Sequence, residues 1–206
     1  MIKNVVFDFG QVLVHFEPEY MVGVYVDDEA DKKLLCEVVF DRLYWDKLDD
    51  GTIEDEQVME RVKARLPERL HEVAKKIYYN WIYNIPELDG MADLVKHLKN
   101  DHRVGLFVLS NISKYFAEHR HEISILAHFD GLVLTGPIGI VKPNREIFDY
   151  LCNTYQLNPA ETIFIDDNAN NIKGASAYGI NTYHFDGDVQ RLREYLDEIL
   201  KRQISR

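Results

Sequence analysis

The chain opens with the stretch Asn4-Val-Val-Phe-Asp-Phe-Gly-Gln-Val-Leu-Val14, which decides the predicted fold. The apolar residues Val5 to Phe7 lead into Asp8, and a second β-branched run, Val12 to Val14, follows Gly10 and is predicted to form an outgoing strand. This pattern predicts a buried strand that carries a carboxylate at its end. A fully apolar strand is typical of a parallel sheet covered on both faces, and ligands bind at the carboxyl ends of such strands. Asp8 is therefore a candidate for chemistry, although an aspartate here can also begin a turn or cap a helix.

The composition indicates one folded domain, or one domain with a sizeable insertion. The 206 residues are 46% hydrophobic and carry a formal net charge of −11. This charge disfavours nucleic acid and anionic membrane as partners, but a small anionic substrate stays possible because local cations and a metal override the distant field. The two cysteines, Cys36 and Cys152, offer neither a disulfide framework nor a zinc site. Without an apolar run of membrane-spanning length or a charged-then-apolar leader, we expect a cytoplasmic protein.

Residues 18–86 show the patterning of helices rather than of strands. Helices are predicted from Glu19 to Val26, Asp31 to Phe40, Ile53 to Leu66 and Glu68 to Tyr83. The third has Thr52 as its candidate N-cap, followed by apolar residues at helical spacing. We expect most of the aromatic residues here to form the core of a small helical bundle, and one or two to line a substrate pocket. These aromatic residues are Tyr44, Trp45, Tyr78, Tyr79, Trp81 and Tyr83.

After Pro86, strand and helix patterns alternate along the chain. The predicted strands run from Val104 to Leu109, Leu132 to Leu134, Thr162 to Ile165 and Asn181 to Phe185. This alternation implies right-handed βαβ units and a parallel sheet. We therefore predict an α/β fold with a Rossmann-like parallel sheet core, residues 1–16 and 87–206, and a helical cap, residues 17–86, inserted after the first strand.

Polar side chains follow several of these strands where each strand ends. Besides Asp8, the pairs Ser110-Asn111 and Asp166-Asp167 follow strands, and a loop carries Lys142. One or two carboxylates, with waters and a phosphate oxygen, are typical ligands of Mg²⁺. A carboxylate can also act as a nucleophile and form an aspartyl-phosphate, while serine, asparagine and lysine bind the phosphate oxygens. The set therefore indicates magnesium-dependent phosphoryl transfer on a small phosphorylated metabolite.

Four motifs, in this order, resemble those of the haloacid dehalogenase (HAD) superfamily. They are Phe7-Asp8-Phe-Gly10-Gln-Val12, Val108-Leu109-Ser110-Asn111, Lys142-Pro143 and Phe164-Ile-Asp166-Asp167-Asn168. The resemblance covers essentially the whole chain and implies that residues 17–86 form the family's helical cap, which closes over the active site. Within the family the chain is most similar to small bacterial sugar-phosphate phosphatases and to the phosphatase domain of soluble epoxide hydrolases.

The resemblance implies a magnesium site made of carboxylate and carbonyl oxygens. It implies that Asp8 is both the nucleophile and a Mg²⁺ ligand, and that the carbonyl of Gly10 supplies a second oxygen. Asp167 matches the direct metal ligand of the fourth motif. Asp166 would orient a metal-bound water or the lysine of the third motif.

The resemblance also implies a phosphate-binding set. Ser110 and the backbone amide of Asn111 would hold the phosphoryl group, and Lys142 would neutralise it and pair with a carboxylate. A helix cap after the strand is the structural alternative for Ser110. A purely structural ion pair is the alternative for Lys142 and the two adjacent aspartates.

The chain departs from the family at Gly10. The usual start is Asp-x-Asp, whose second aspartate protonates the leaving group and later activates water. Losing a general acid–base costs about 10²–10⁴-fold, which is small beside a total acceleration that exceeds roughly 10¹⁷ for phosphate monoesters. We therefore expect a slow phosphatase that favours good leaving groups, such as an anomeric sugar phosphate. Gln11 or His15 could partly substitute for the missing carboxylate.

The same residues argue against two other functions of this family. A phosphosugar mutase needs the aspartate missing at Gly10, and a haloacid dehalogenase has no use for the metal-binding pair Asp166-Asp167. The remaining alternative is a non-catalytic phosphate-binding or regulatory protein that has kept the fold. The segment Tyr44 to Thr52 combines polar and aromatic residues, and is either a loop that contacts the leaving group or a hinge between cap helices.

Overall fold

A parallel sheet lies at the centre of the computed structural model, which describes residues 1–102 and 104–201. Its five strands stand in the order β3-β2-β1-β4-β5. They are β1 (Asn4–Phe7), β2 (Gly105–Ser110), β3 (Gly131–Leu134), β4 (Thr162–Asp166) and β5 (Asn181–His184). The opening stretch supplies a buried strand of a parallel sheet, as predicted, and this strand is the central one: Phe7 pairs with Val108 on one side and Ile165 on the other.

Both faces of the central strand are covered. Val5 and Phe7 belong to one hydrophobic cluster, and Val6, between them, belongs to the cluster on the opposite face. All three side chains are completely buried, because successive residues of a strand point to opposite faces. The helices are α1 (Pro18–Gly23), α2 (Glu29–Val39), α3 (Arg42–Asp49), α4 (Asp55–Arg65), α5 (His71–Asn80), α6 (Met91–His97), α7 (Lys114–His119), α8 (Arg145–Tyr155), α9 (Ala169–Tyr178) and α10 (Val189–Lys201). The predicted α/β fold with a Rossmann-like parallel sheet is confirmed.

Helices α1 to α5 occupy the segment predicted as a cap. The chain enters and leaves this segment at neighbouring points, because Val14 forms an antiparallel bridge with Glu87 and the amide of His15 donates to the carbonyl of Pro86 at 2.8 Å. The apolar residues of the segment join the same hydrophobic cluster as Val5 and Phe7. The division into a cap of residues 17–86 and a core of 1–16 and 87–206 stays a prediction.

The segment from Tyr44 to Thr52 was predicted as a loop or hinge, and this prediction was wrong. Most of the segment lies in helix α3. The carboxylate of Asp41 caps this helix by accepting from the amide of Leu43 at 2.9 Å. Tyr44, Trp45 and Leu48 are buried on one side of the helix, and this spacing is that of a single helical face.

Two local predictions near the ends of elements were also wrong. The run Val12 to Val14 is a turn rather than a strand, because Gln11 has a positive φ of 57° and the amide of Leu13 donates back to the carbonyl of Phe9. The N-cap of α4 is Glu54 and not Thr52, whose hydroxyl instead donates to Asp50 at 2.5 Å.

No helix in the part of the chain that the structure describes has the length and apolarity needed to cross a membrane.

Candidate active site

A buried lysine joins two aspartates at the carboxyl ends of the central strands. Asp8 follows β1 directly, Asp166 ends β4, and the ammonium group of Lys142 lies 2.8 Å from a carboxylate oxygen of each. Lys142 is 3% exposed and Asp166 is completely buried. Because a buried charge needs partners to replace water, this arrangement stabilises all three charges only while it stays complete.

The protonation states of Asp8 and Lys142 depend on both burial and neighbouring charges. Burial raises the pKa of Asp8 to about 6, although the ammonium of Lys142 acts in the opposite direction. Burial alone would lower the pKa of Lys142, but the two carboxylates outweigh it and raise the pKa above its usual value. Lys142 is therefore firmly protonated and can hold an anionic group beside Asp8.

Asp166 is held in place from every side. Its carboxylate accepts from the side-chain amide of Asn171 at 3.0 and 3.1 Å and from the backbone amide of Asn168 at 2.7 Å, in addition to Lys142. Asn171 lies in the first turn of α9, and no role was predicted for it from the sequence, although it ends the run Asp-Asp-Asn-x-x-Asn. Its spacing of three residues after Asn168, which is the N-cap of α9, is the signal that could have identified it. These contacts use both oxygens of Asp166, and its role in orienting Lys142 or a metal-bound water stays a prediction.

Ser110 and Asn111 stand at the end of β2 beside the lysine loop. Ser110 is 2% exposed and lines the same cleft as Asp8. The side chain of Asn111 forms a pair of hydrogen bonds with the backbone of Lys142: it accepts from the amide at 2.8 Å and donates to the carbonyl at 3.1 Å. This pairing was not predicted, and it fixes the loop that carries Lys142.

The donor set at this edge fits a hard divalent cation. One carboxylate oxygen from each of Asp8, Asp166 and Asp167 lies within 4.8 Å of the others. Asp167 is exposed as a residue, but partial desolvation of its carboxylate, together with the neighbouring Asp166, raises its pKa. Crowded carboxylates of this kind repel one another, and oxygen ligands are those that Mg²⁺ prefers. Gly10 lines the same cleft, which brings its backbone into the candidate site.

The site opens into a cleft of about 1030 Å³ between the carboxyl edge of the sheet and residues of the segment 17–86. One wall of the cleft is aromatic, and the acidic residues Asp46, Asp49 and Asp50 contribute to its rim. Trp45 and Trp81, two of the predicted core aromatics, line it with their ring centroids 5.4 Å apart. The other aromatic residues of the wall are Phe9, Phe16 and Phe40.

The two residues predicted to substitute for the missing carboxylate are placed differently. Gln11 lines the cleft, but its side-chain amide donates to the carbonyl of Phe16 at 3.0 Å. His15 lies outside the cleft lining, and its Nδ1 is 3.8 Å from the carboxylate of Glu17. Neither position favours proton transfer to a substrate at Asp8.

Comparisons with known proteins agree with this fold. A family model described as a haloacid dehalogenase-like hydrolase matches residues 2–179. The chain therefore belongs to the haloacid dehalogenase-like hydrolases.

Individual relatives match nearly the full length of the chain. It is 26% identical to D-ribitol-5-phosphate phosphatase from Bacteroides thetaiotaomicron, over 89% of this chain and 91% of the relative. It is 25% identical to sesquiterpene phosphatase astK from Aspergillus oryzae, over 88% of this chain and 89% of the relative. A solved HAD family enzyme from Bacteroides thetaiotaomicron, in complex with magnesium and inorganic phosphate, superposes with a TM-score of 0.67 at 19% identity, covering 93% of this chain and 99% of that one.

Proposed function

We propose that this protein is a Mg²⁺-dependent phosphatase that hydrolyses a small phosphorylated metabolite through an aspartyl-phosphate on Asp8. The observation that carries the proposal is the buried ammonium of Lys142, 2.8 Å from both Asp8 and Asp166 at the edge of the sheet. The named phosphatases among its relatives support the same reaction class.

Each side chain has a role that follows from its placement. Both the lysine and the backbone amide of Phe9 contact Oδ1 of Asp8, at 2.8 and 2.7 Å, so Oδ2 is the oxygen that attacks phosphorus. Lys142 and Ser110 hold the non-bridging oxygens while the bond to the leaving oxygen breaks. Water then attacks the same phosphorus and regenerates the carboxylate.

Three groups would hold the metal: the carboxylates of Asp8 and Asp167 and the carbonyl of Gly10. Bound there, Mg²⁺ would offset the negative charge of the phosphoryl oxygens. Asp166 is a poor direct ligand, because Lys142, Asn168 and Asn171 already occupy its oxygens.

A sugar phosphate suits the cleft best among phosphorylated metabolites. Its aromatic wall can stack on a sugar ring, and the carboxylate of Asp49 can accept hydrogen bonds from hydroxyl groups. The phosphate of an isoprenoid alcohol would use the aromatic wall alone and would offer Asp49 no hydroxyl group.

The test is turnover of 4-nitrophenyl phosphate with and without Mg²⁺, followed by a panel of phosphorylated metabolites that includes sugar, polyol and isoprenoid phosphates. We expect hydrolysis that stops when the metal is chelated and resumes when Mg²⁺ is restored, with a sugar phosphate as the best substrate. Phosphate binding without turnover of any substrate would favour the non-catalytic alternative.

The two adjacent aspartates should respond differently to substitution. We expect Asp167→Ala to raise the Mg²⁺ concentration needed for half-maximal activity at least tenfold, on the scale of about 1.4 kcal/mol per decade of affinity, because an exposed ligand is lost. Asp166→Ala should mainly lower the thermal midpoint, because it leaves buried Lys142 with one partner fewer. Magnesium titrations and melting curves on both variants would check this, and a larger loss of metal affinity for Asp166→Ala would show that the two roles are reversed.

A further inference from the structure

The backbone at Gly10 leaves open where the proton for the leaving group comes from. A β-carbon built on Gly10 would meet its nearest neighbour, Cβ of Phe16, at 4.0 Å, and its φ lies outside the left-handed region. A β-carbon is therefore accommodated here, so the glycine is not required by backbone strain or by crowding at that atom. Because Gly10 carries no side chain, another group that faces the cleft can supply the proton for the leaving group.

Asp49, the last residue of α3, lines the same cleft as Asp8 and Lys142. Asp46 and Asp50 line it too, but their carboxylates are engaged close by. Asp46 pairs with Arg42 at 2.6 Å, and Asp50 accepts from the amide and hydroxyl of Thr52. Asp49 is thus the rim carboxylate best placed to act on a substrate.

The backbone of Asp49 is tied to the loop that carries the phosphate-binding residues. The buried hydroxyl of Thr135 donates to the carbonyl of Asp49 at 2.7 Å and accepts from the amide of Ile112 at 3.1 Å. Ile112 follows Ser110 and Asn111 directly. One hydroxyl therefore sets the distance between the end of α3 and the phosphate-binding end of β2.

The turn after α3 approaches the sheet edge so closely that it admits glycine alone. Gly51 has a positive φ of 70°, and a β-carbon there would lie 2.4 Å from the carbonyl oxygen of Gly136. The close approach of this turn to Gly136 fixes the end of α3, and with it Asp49, beside the cleft.

The environment of Asp49 suits a group that must both give and take a proton. Burial raises the pKa of its carboxyl group to about 7, with Arg42 and Lys142 acting in the opposite direction and Asp46 and Asp8 adding to the rise. A general acid–base works best with a pKa near the operating pH.

Building on the proposed phosphatase function, we propose that Asp49 is the general acid and base that replaces the carboxylate missing at position 10. In the first step Oδ2 of Asp8 forms a bond to phosphorus, the bond to the leaving oxygen breaks, and the proton of the Asp49 carboxyl group passes to that oxygen. In the second step the Asp49 carboxylate takes a proton from water as it attacks phosphorus. The bond from phosphorus to Asp8 breaks, which releases inorganic phosphate and restores the carboxylate of Asp8.

The test compares Asp49→Asn with wild type on an alkyl and an aryl phosphate, glycerol phosphate and 4-nitrophenyl phosphate. Wild type should turn over both substrates, because Asp49 protonates the poor leaving group of glycerol phosphate. This expectation replaces the one drawn from Gly10 alone, which was a strong preference for good leaving groups. In the variant we expect glycerol phosphate turnover to fall about 10²–10⁴-fold. The first equivalent of 4-nitrophenolate should still be released rapidly, as a burst, followed by slow turnover because the base for water attack is lost.

Two further variants make the result specific. Asp46→Asn removes a neighbouring carboxylate of the same cleft and should leave glycerol phosphate turnover near the wild-type value. Adding Gly10→Asp to Asp49→Asn returns a carboxylate to the site and should recover much of the lost turnover. Melting curves should place Asp49→Asn at or above wild type, because a carboxyl group with a raised pKa destabilises the fold when ionised.

The outcomes separate this assignment from the proposed function. If wild type is active and Asp49→Asn turns over glycerol phosphate as fast as Asp46→Asn does, the assignment to Asp49 is overturned and the phosphatase function stands. If wild type hydrolyses neither substrate in the presence of Mg²⁺, both are overturned.

Discussion

Asp8→Asn is expected to lower phosphatase turnover on the order of 10⁴-fold or more, the scale of loss when a nucleophile is removed from an enzyme. The asparagine amide is nearly isosteric with the carboxylate, but it neither attacks phosphorus nor serves as an anionic metal ligand. Steady-state rates and the burst of 4-nitrophenolate would check this, and we expect the variant to show no burst.

The fold should survive this change. The raised pKa of Asp8 means that its ionised form is less stable in the folded chain than in the unfolded chain. Between the usual aspartate pKa and about 6, stability therefore falls as the pH rises. A neutral asparagine avoids this loss at neutral pH, which offsets the loss of one charged partner of buried Lys142. Asp46→Asn is the matched control, since it removes a carboxylate from the same cleft. Activity of Asp8→Asn within a few-fold of this control would remove Asp8 from the role of nucleophile.

Lys142→Met is expected to lower the free energy of unfolding by about 3–5 kcal/mol, because it leaves Asp8 and Asp166 buried without their shared partner. Urea denaturation would show this as a lower midpoint, and turnover should be lost as well. A substitution that removed only phosphate binding would leave the midpoint unchanged.

Two comparisons test the cause of this destabilisation. Lys173→Met, an exposed lysine on the same cleft, should change the free energy of unfolding by no more than about 0.5 kcal/mol. The double variant Lys142→Met with Asp166→Asn should be more stable than Lys142→Met alone, because one of the unpaired charges is gone. A Lys142→Met variant as stable as Lys173→Met would contradict the buried ion pairs.

The sequence predicted the central strands of the sheet well because β1, β2 and β4 are apolar on both faces. The run Val5 to Phe7 needs no knowledge of distant residues to be identified as a buried strand. The end of this stretch was misjudged, because Val12 to Val14 has the same β-branched composition as a strand. The left-handed conformation of Gln11 turns the chain back instead, and this conformation is uncommon for a residue other than glycine.

Helix α3 shows why local patterning missed one helix of the segment predicted as a cap. Half of its eight residues are charged, and the apolar face consists of Tyr44, Trp45 and Leu48. The helix gains its burial from aromatic neighbours supplied by other segments, such as Phe16, 5.4 Å from Trp45, and Trp81. Such long-range packing overrides local propensity and is not visible in a window of eight residues.

The residues of the candidate site also fall into those that the sequence predicted and those that it did not. Asp8, Ser110, Lys142 and the adjacent aspartates were predicted because each follows a strand or forms part of a motif. The connecting groups were not, because their roles depend on contacts across the fold. Thr135, for example, reaches Asp49 across 86 positions of the chain.

The aromatic wall of the cleft also equips the protein with a built-in optical reporter. The chain has two tryptophans, and both line the cleft, with Trp45 stacked on Phe40 at 5.3 Å and Trp81 stacked on Phe116 at 5.6 Å. All intrinsic tryptophan emission therefore originates beside the place where a leaving group would sit. Ligand titrations and stopped-flow measurements can follow events in this cleft without any attached label.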